Sequence, residues 1–325
     1  MHSADRQVIE QIDQWLQAVS DCWLCTIIAT KGSSPRPVGS LLAINSLGAS
    51  CGSVSGGCIE DDIAKQILNQ QLPISKPSVL SYGIDASENE RLGLPCGGEL
   101  KLLVQPIVAS THNQQQFKQI LSAISQRKCI SRESNIDDNF STLTPTPSFH
   151  QLDYSGDKIT HCFGPHFQML LIGAGQLSKV LAELALAMDY KVIVCDPRPE
   201  LIEHWDVDNV EAIFDTPDQL ISKQGNDLQS VIISLTHVNA IDDLAIASAL
   251  KTDAFYVGAL GSMRTSDSRR QRLLAQGFNE QQLNRLHAPV GLFIGSKTPL
   301  EIAVSIMAEL TSLRAAAARK LTPWL

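Results

Sequence analysis

The chain reads as an α/β protein: a mixed N-terminal α/β domain followed by a Rossmann-like domain with a doubly wound parallel sheet. Three observations carry this reading. Met169-Leu-Leu-Ile-Gly-Ala-Gly-Gln-Leu-Ser178 runs from an apolar strand through a glycine turn into a helix. From Gln168 onward strand-like and helical runs alternate, as parallel strands with crossover helices require. Before about residue 108, β-like runs and helices are separated by several glycine-rich turns.

The elements follow in order. Val8, Ile9, Ile12, Trp15, Leu16 and Val19 line one face of an N-terminal amphipathic helix. Cys25–Ala29 and Leu41–Ile44 are strands. The Lys31–Gly39 stretch between them must be a loop, because its prolines break both ladders. Ile59, Ile63, Ala64, Ile67 and Leu68 give the next helix its apolar stripe, and Glu99–Val104 is a further strand. We divide the chain into 1–108, a connecting segment 109–167 and 168–325. The connecting segment holds a Gln-rich helix (Asn113–Gln126) and Ser/Thr/Pro-rich sequence with short strands. In the last part, strands are expected at Met169–Ile172, Lys191–Val194, Ala212–Phe214, Val231–Leu235, Phe255–Val257 and Leu292–Ile294. Helices are expected near Leu177–Met188, Ile241–Leu250, Arg264–Ala275 and Pro299–Arg319. Thr298 and Glu301 form a capping box for the last helix, with Pro299 at its first position.

Composition narrows the function. The 325 residues suffice for two domains, and an apolar content of 44% supplies their cores. A net charge of −8 argues against nucleic acid as a partner. No apolar run is long enough to span a membrane. Asp5, Arg6, Glu10 and Asp13 are foreign to a signal peptide, so eight cysteines imply reduced thiols in a cytoplasm.

Two places carry chemistry. In the C-terminal half Gly173 permits the turn, and Gly175 lets amides approach a phosphate at a helix N-terminus. Ser178 stands at the third glycine position. Asp196 ends the next strand, placed to bond a ribose hydroxyl, and Arg198 is placed to meet a phosphate. Gly258-Ala-Leu-Gly261-Ser262 offers another turn, before a helix with Arg264, Arg269, Arg270 and Arg272, for most of which a solvated face is the simpler reading. Thr236-His237 ends a strand at the same edge, but a lone histidine there carries little weight.

In the N-terminal half, Cys22 and Cys25 fall on opposite faces of a strand, as packing residues. Cys58 and Cys96 differ. Cys58 follows Gly56-Gly57 at a helix start, and Cys96 precedes Gly97-Gly98. A thiol in such a position is a nucleophile or a ligand for a soft metal. Bare backbone amides of the glycine turn would face the same ligand. Glu60, Asp61 and Asp62 crowd Cys58, so Cys96 is expected as the main sulfur ligand and Cys58 as an auxiliary one in a shared pocket. Simple burial of both as small residues is the alternative.

Gly32-Ser-Ser-Pro-Arg-Pro-Val-Gly39, Gly52-Ser-Val-Ser-Gly-Gly-Cys-Ile-Glu60 and Pro95-Cys-Gly-Gly98 resemble the N-terminal signatures of the XdhC/CoxI family. Ile172-Gly-Ala-Gly175, Asp196-Pro-Arg198, Thr236-His237, Gly258–Ser262, Ala288–Gly295 and Thr298–Ala303 resemble its C-terminal Rossmann domain. The resemblance implies binding of the molybdenum cofactor (molybdopterin), its protection, and its insertion into an apo molybdenum hydroxylase of the xanthine dehydrogenase type. It also implies an accessory protein rather than an enzyme, often a homodimer, with a cysteine desulfurase as a second partner. On this reading Cys96 and Cys58 hold the metal end, and Arg36 with the glycine turns receives dithiolene or phosphate groups. The Rossmann domain takes a phosphate or nucleotide tail, or a separate dinucleotide such as NAD(P). Gln176 stands where the family often has His. The rival reading is an NAD(P)-dependent oxidoreductase, which needs a positioned acid or base beside the nicotinamide.

Overall fold

The computed structural model describes residues 1–32, 36–83, 99–147, 149 and 152–321. The chain divides into two compact units, Met1–Pro165 and His166–Leu325.

The first unit is built on an antiparallel sheet of order β3-β2-β1-β5-β4, where β1 is Cys22–Lys31, β2 Leu41–Asn45, β3 Ser50–Gly52, β4 Ser78–Tyr82 and β5 Glu99–Ile107. Alternation along β1 sends successive side chains to opposite faces. Trp23, Cys25 and Ile27 pack with Ile59, Ile63 and Ile67 of helix α2 (Cys58–Leu68). Cys22 and Leu24 pack on the other face with Val8, Ile9, Ile12 and Leu16 of helix α1 (Ser3–Gln17). The two thiols of the Cys-x-x-Cys thus lie in different cores. Burial pushes Cys22 up to about 12.

Residues 109–165 do not merely connect. Helix α3 (Thr111–Ser125) presents Phe117, Ile120 and Ile124 to the same core as α1. A four-stranded antiparallel sheet follows, order β7-β6-β9-β8, with β6 Cys129–Asn135, β7 Ser141–Thr146, β8 Asp153–Tyr154 and β9 Lys158–Phe163. Its Ile130 and Phe163 join that core too. The polar composition hid this, because the inward positions are few and far apart in sequence.

The second unit holds six parallel strands in the order β12-β11-β10-β13-β14-β15. They are β10 Gln168–Ile172, β11 Lys191–Asp196, β12 Glu211–Phe214, β13 Ser230–Ser234, β14 Tyr256–Ala259 and β15 Leu286–His287. Numbered from β10, this is the 3-2-1-4-5-6 order of the dinucleotide-binding fold, with its switch point between β10 and β13. Met169, Leu171, Val192 and Val194 pack on one face against α4 (Gln176–Ala187) and α10 (Pro299–Leu321). Leu170, Ile172, Ile193 and Cys195 pack on the other against α6 (Pro217–Gln224), α7 (Asn239–Ala249) and α8 (Met263–Ala275). Two short helices, α5 (Pro199–Glu203) and α9 (Glu280–Leu283), complete the unit. The capping box forms: Glu301 accepts from the Lys297 and Thr298 amides at 2.7 and 2.9 Å.

One expected strand is absent. Leu292–Ile294 is an exposed loop, and the sixth strand is Leu286–His287 instead. Gly291 and Gly295 both take positive φ (+92° and +79°), which an extended strand cannot absorb. The Gly291 amide donates to Glu309 of α10 at 2.8 Å, so the chain leaves the sheet for the helix.

Candidate functional site

In the first unit, β3 delivers the chain into the turn Ser53–Gly57, and α2 begins at Cys58. Gly56 and Gly57 sit at φ +102° and +144°, positions that side chains rarely tolerate, and a Cβ on either would meet open space. Glycine is required there by conformation, not by crowding.

The turn's amides are not bare. Glu60 folds back and accepts from the amides of Val54 and Ser55 (both 2.8 Å), Gly56 (3.2 Å) and Gly57 (2.9 Å). The Ser53 hydroxyl donates to it at 2.8 Å, and the Ser55 hydroxyl also donates. Burial alone would raise its pKa, but the Ser55 hydroxyl and the Ser55 and Val54 amides hold it well below the usual carboxylate range. The expectation that these amides receive a ligand anion is therefore corrected: the chain's own carboxylate fills the cradle. The signal was present as a helix whose third residue is Glu after a glycine cap.

Cys58 itself is exposed, the one exposed thiol among the described residues. Two of the three acids expected to crowd it are engaged elsewhere. Glu60 serves the turn, and Asp62 accepts from Tyr82 Oη at 3.0 Å and Gln66 Nε2 at 2.7 Å. Asp61 is exposed. Arg36 approaches the Asp5 carboxylate at 3.7 Å. Cys96, Gly97 and Gly98 lie outside the described residues. Among the described residues no three His, Cys, Asp or Glu side chains converge to hold a metal ion.

In the second unit, the strand ends bring Gly173–Gly175, Asp196–Arg198, Thr236–His237 and Gly261–Ser262 to one edge of the sheet, as doubly wound topology requires. Gly173 has φ +108°, and a Cβ there would lie 3.1 Å from the Leu235 carbonyl carbon and Thr236 Cα. Ser178 replaces the third glycine without penalty, because its hydroxyl donates to the Gly173 carbonyl at 2.5 Å. Gly175 caps α4 and faces open space, and the first-turn amides beyond it have no acceptor within their own helix.

Asp196 is the departure. Its side chain is 0% exposed. One oxygen accepts from the Ala174 amide (2.9 Å) and Arg198 Nη2 (2.7 Å), and the other from Arg198 N (3.0 Å) and Nε (2.8 Å). The acid expected on a ribose hydroxyl and the arginine expected on a phosphate grip each other and brace the glycine turn. Burial raises the Asp196 pKa, and the Arg198 and Ala174 donors outweigh it. Ser262 is likewise a helix cap, accepting from the Thr265 amide at 3.2 Å, with Gly261 packed on Thr265.

The arginines of α8 also divide. Arg264 is exposed, as a solvated face requires. Arg269 is buried, meeting Asp242 and Asp243 at 3.3 Å each and the Leu260 carbonyl at 3.2 Å. Sequence reasoning also missed Glu309, which accepts from Tyr256 Oη (2.7 Å), His287 Nδ1 (2.7 Å) and the Gly291 amide. These partners lie 18 to 53 residues away, so no local pattern announced them.

Both motif-bearing regions have counterparts among known proteins. Residues 169–310 match the XdhC Rossmann domain, and residues 15–83 match the XdhC and CoxI family. The chain belongs to the XdhC/CoxI family. Among relatives of this XdhC/CoxI protein, the molybdenum cofactor insertion chaperone PaoD of Escherichia coli is 26% identical over 90% of this chain and 83% of its own. A Bacillus subtilis protein, named as a probable subunit of xanthine dehydrogenase, is 25% identical over 93% of this chain and 96% of its own. The fold matches a crystal structure from Bacillus halodurans described as a xanthine dehydrogenase, with TM-score 0.69, 24% identity and coverage of 95% and 96%. Among the described residues no helix is long and apolar enough to cross a membrane.

Proposed function

We propose that this XdhC/CoxI protein binds the molybdenum cofactor and delivers it to an apo molybdenum hydroxylase of the xanthine dehydrogenase type. The observation that carries the proposal is Cys58: an exposed thiol at a helix start, on a turn held rigid by Glu60, in a family whose E. coli relative is named an insertion chaperone. Buried thiols such as Cys22 and Cys195, pushed up to about 12, are poor ligands by comparison. A soft sulfur donor suits a metal that arrives with its own dithiolene. Cys96 is the second sulfur of the proposal.

The Rossmann unit offers a phosphate site at Gly175 and the first turn of α4. Because Asp196 and Arg198 are bonded to each other, the site favours a phosphate over recognition of a ribose. This weighs against the alternative of an NAD(P)-dependent oxidoreductase. An accessory role in a homodimer, in the cytoplasm, with the client enzyme and a cysteine desulfurase as partners, completes the proposal.

The experiment compares molybdenum retained after anaerobic purification by the wild type, Cys58→Ser, Cys96→Ser and Cys22→Ser. The two glycine-flanked cysteines should each lose metal, and Cys22→Ser almost none. Equal retention by all three variants overturns the sulfur-ligand proposal.

A further inference from the structure

The first unit contains a cavity of about 220 Å³, lined in part by Pro37, Val38 and Gly39 at the end of the Gly32–Gly39 signature. Its polar lining is Asp5, Ser40, His2 and His161, with Met1 beside them and Arg36 Nη2 3.7 Å from Asp5 Oδ1. Val38, Phe149 and Leu152 form apolar walls. It is smaller than the roughly 300–1,000 Å³ pockets that take drug-sized ligands whole, so it suits one ring system and not a nucleotide. The Asp5 side chain is only 10% exposed, and Oδ1 accepts the Leu41 amide at 3.2 Å.

Leu41 links this cavity to the thiol. Its amide meets Asp5, and its carbonyl accepts the amide of Ser53, the residue that opens the turn leading to Cys58, at 3.2 Å. Both contacts lie at the first residue of β2. The carboxylate and the Cys58 turn therefore occupy one end of the same sheet.

We propose that this cavity is the seat of a pterin ring, with the Asp5 carboxylate receiving the 2-amino and N3–H donors of its pyrimidinone edge. The proposal rests on the cofactor-carrier reading and adds where the organic half of the cargo sits. The chemistry is specific. A carboxylate only accepts, so it pairs with an edge that only donates. Lumazine, which carries a carbonyl in place of the 2-amino group, turns an acceptor toward the same oxygens. The apolar walls suit the flat faces of the ring. Desolvation raises the Asp5 pKa against the opposing pull of the Leu41 amide and of the nearby charges of His2, Arg36 and the N-terminus, and two incoming N–H donors would replace the hydration lost.

The test uses the full chain with 6-hydroxymethylpterin and 6-hydroxymethyllumazine, read by their intrinsic fluorescence. Wild type should bind the pterin about tenfold or more tightly than the lumazine, the worth of one hydrogen bond to a charged group. Asp5→Asn keeps an oxygen for the Leu41 amide, so the fold survives, while its amide N–H₂ should abolish or reverse the preference. Leu152→Trp fills the cavity without touching the carboxylate and should weaken both ligands. Equal binding of the two ligands by wild type, or an unchanged preference in Asp5→Asn, overturns the pocket. Protein that retains molybdenum while showing no pterin preference overturns the pocket alone. Protein that retains neither overturns the carrier reading beneath it.

Discussion

Replacing Glu60 by Ala removes the acceptor of four backbone amides and two hydroxyls at once. Val54 is fully buried, so its amide cannot turn to water, and an unsatisfied buried donor costs about 1–3 kcal/mol. The donors of Ser55, Gly56 and Gly57 are only partly buried, and water recovers much of their loss. The sum is about 3–5 kcal/mol for the local opening of the turn, the range expected when a buried network loses its charged member. Peptide-resolved hydrogen exchange measures this directly: amides 54–57 should lose protection while β10 and β11 in the second unit keep theirs. Glu60→Gln should fall between, because an amide oxygen accepts fewer bonds and carries no charge. The sign with pH follows from the lowered folded-state pKa. The stabilisation is complete above the unfolded carboxylate value of about 4.3 and is lost as pH falls toward the folded value. Protection of 54–57 in Glu60→Ala within about 0.5 kcal/mol of wild type would refute the view that this carboxylate builds the turn.

Gly175→Asp should leave stability within about 0.5 kcal/mol, since a Cβ there meets nothing, yet abolish phosphate or nucleotide binding measured by calorimetry. Gly173→Ala should instead destabilise by about 2 kcal/mol, through positive φ and contact with the backbone of Leu235 and Thr236, seen as lower urea resistance of the second unit. Arg269→Met should cost about 3–5 kcal/mol in the same assay, because Asp242 is left buried without its cation. An unchanged midpoint in either variant would contradict the packing described.

Hydrophobic period and turn chemistry are local, and they were legible. The alternation after Gln168, the glycine turn at Gly173 and the box at Thr298 and Glu301 each depend on residues within a few positions, and each forms. The placement of Cys22 and Cys25 on opposite faces followed from strand alternation alone. The site was only half legible. Glycine-rich turns announce that amides converge, but not which anion they converge on. The chain supplied the anions itself: Glu60 for 54–57 from within the same turn and helix start, a local partner, and, through tertiary structure, Asp196 for Ala174 and Glu309 for Gly291.

The same limit applies to larger units. Residues 109–167 looked like a connection because their apolar positions are sparse, and only packing against α1 shows that Phe117, Ile120 and Phe163 complete a core. Leu292–Ile294 looked like a strand because apolar runs usually are, until the pull of Glu309 on Gly291 took it out of the sheet. The cavity at Asp5 joins residues 5, 40 and 152, which no spacing relates. A sequence determines the local backbone because neighbours are always in contact. Where the carboxylate is remote, as Asp196 is from Ala174 and Glu309 from Gly291, which amide it reaches is decided only when distant segments are brought within hydrogen-bonding distance.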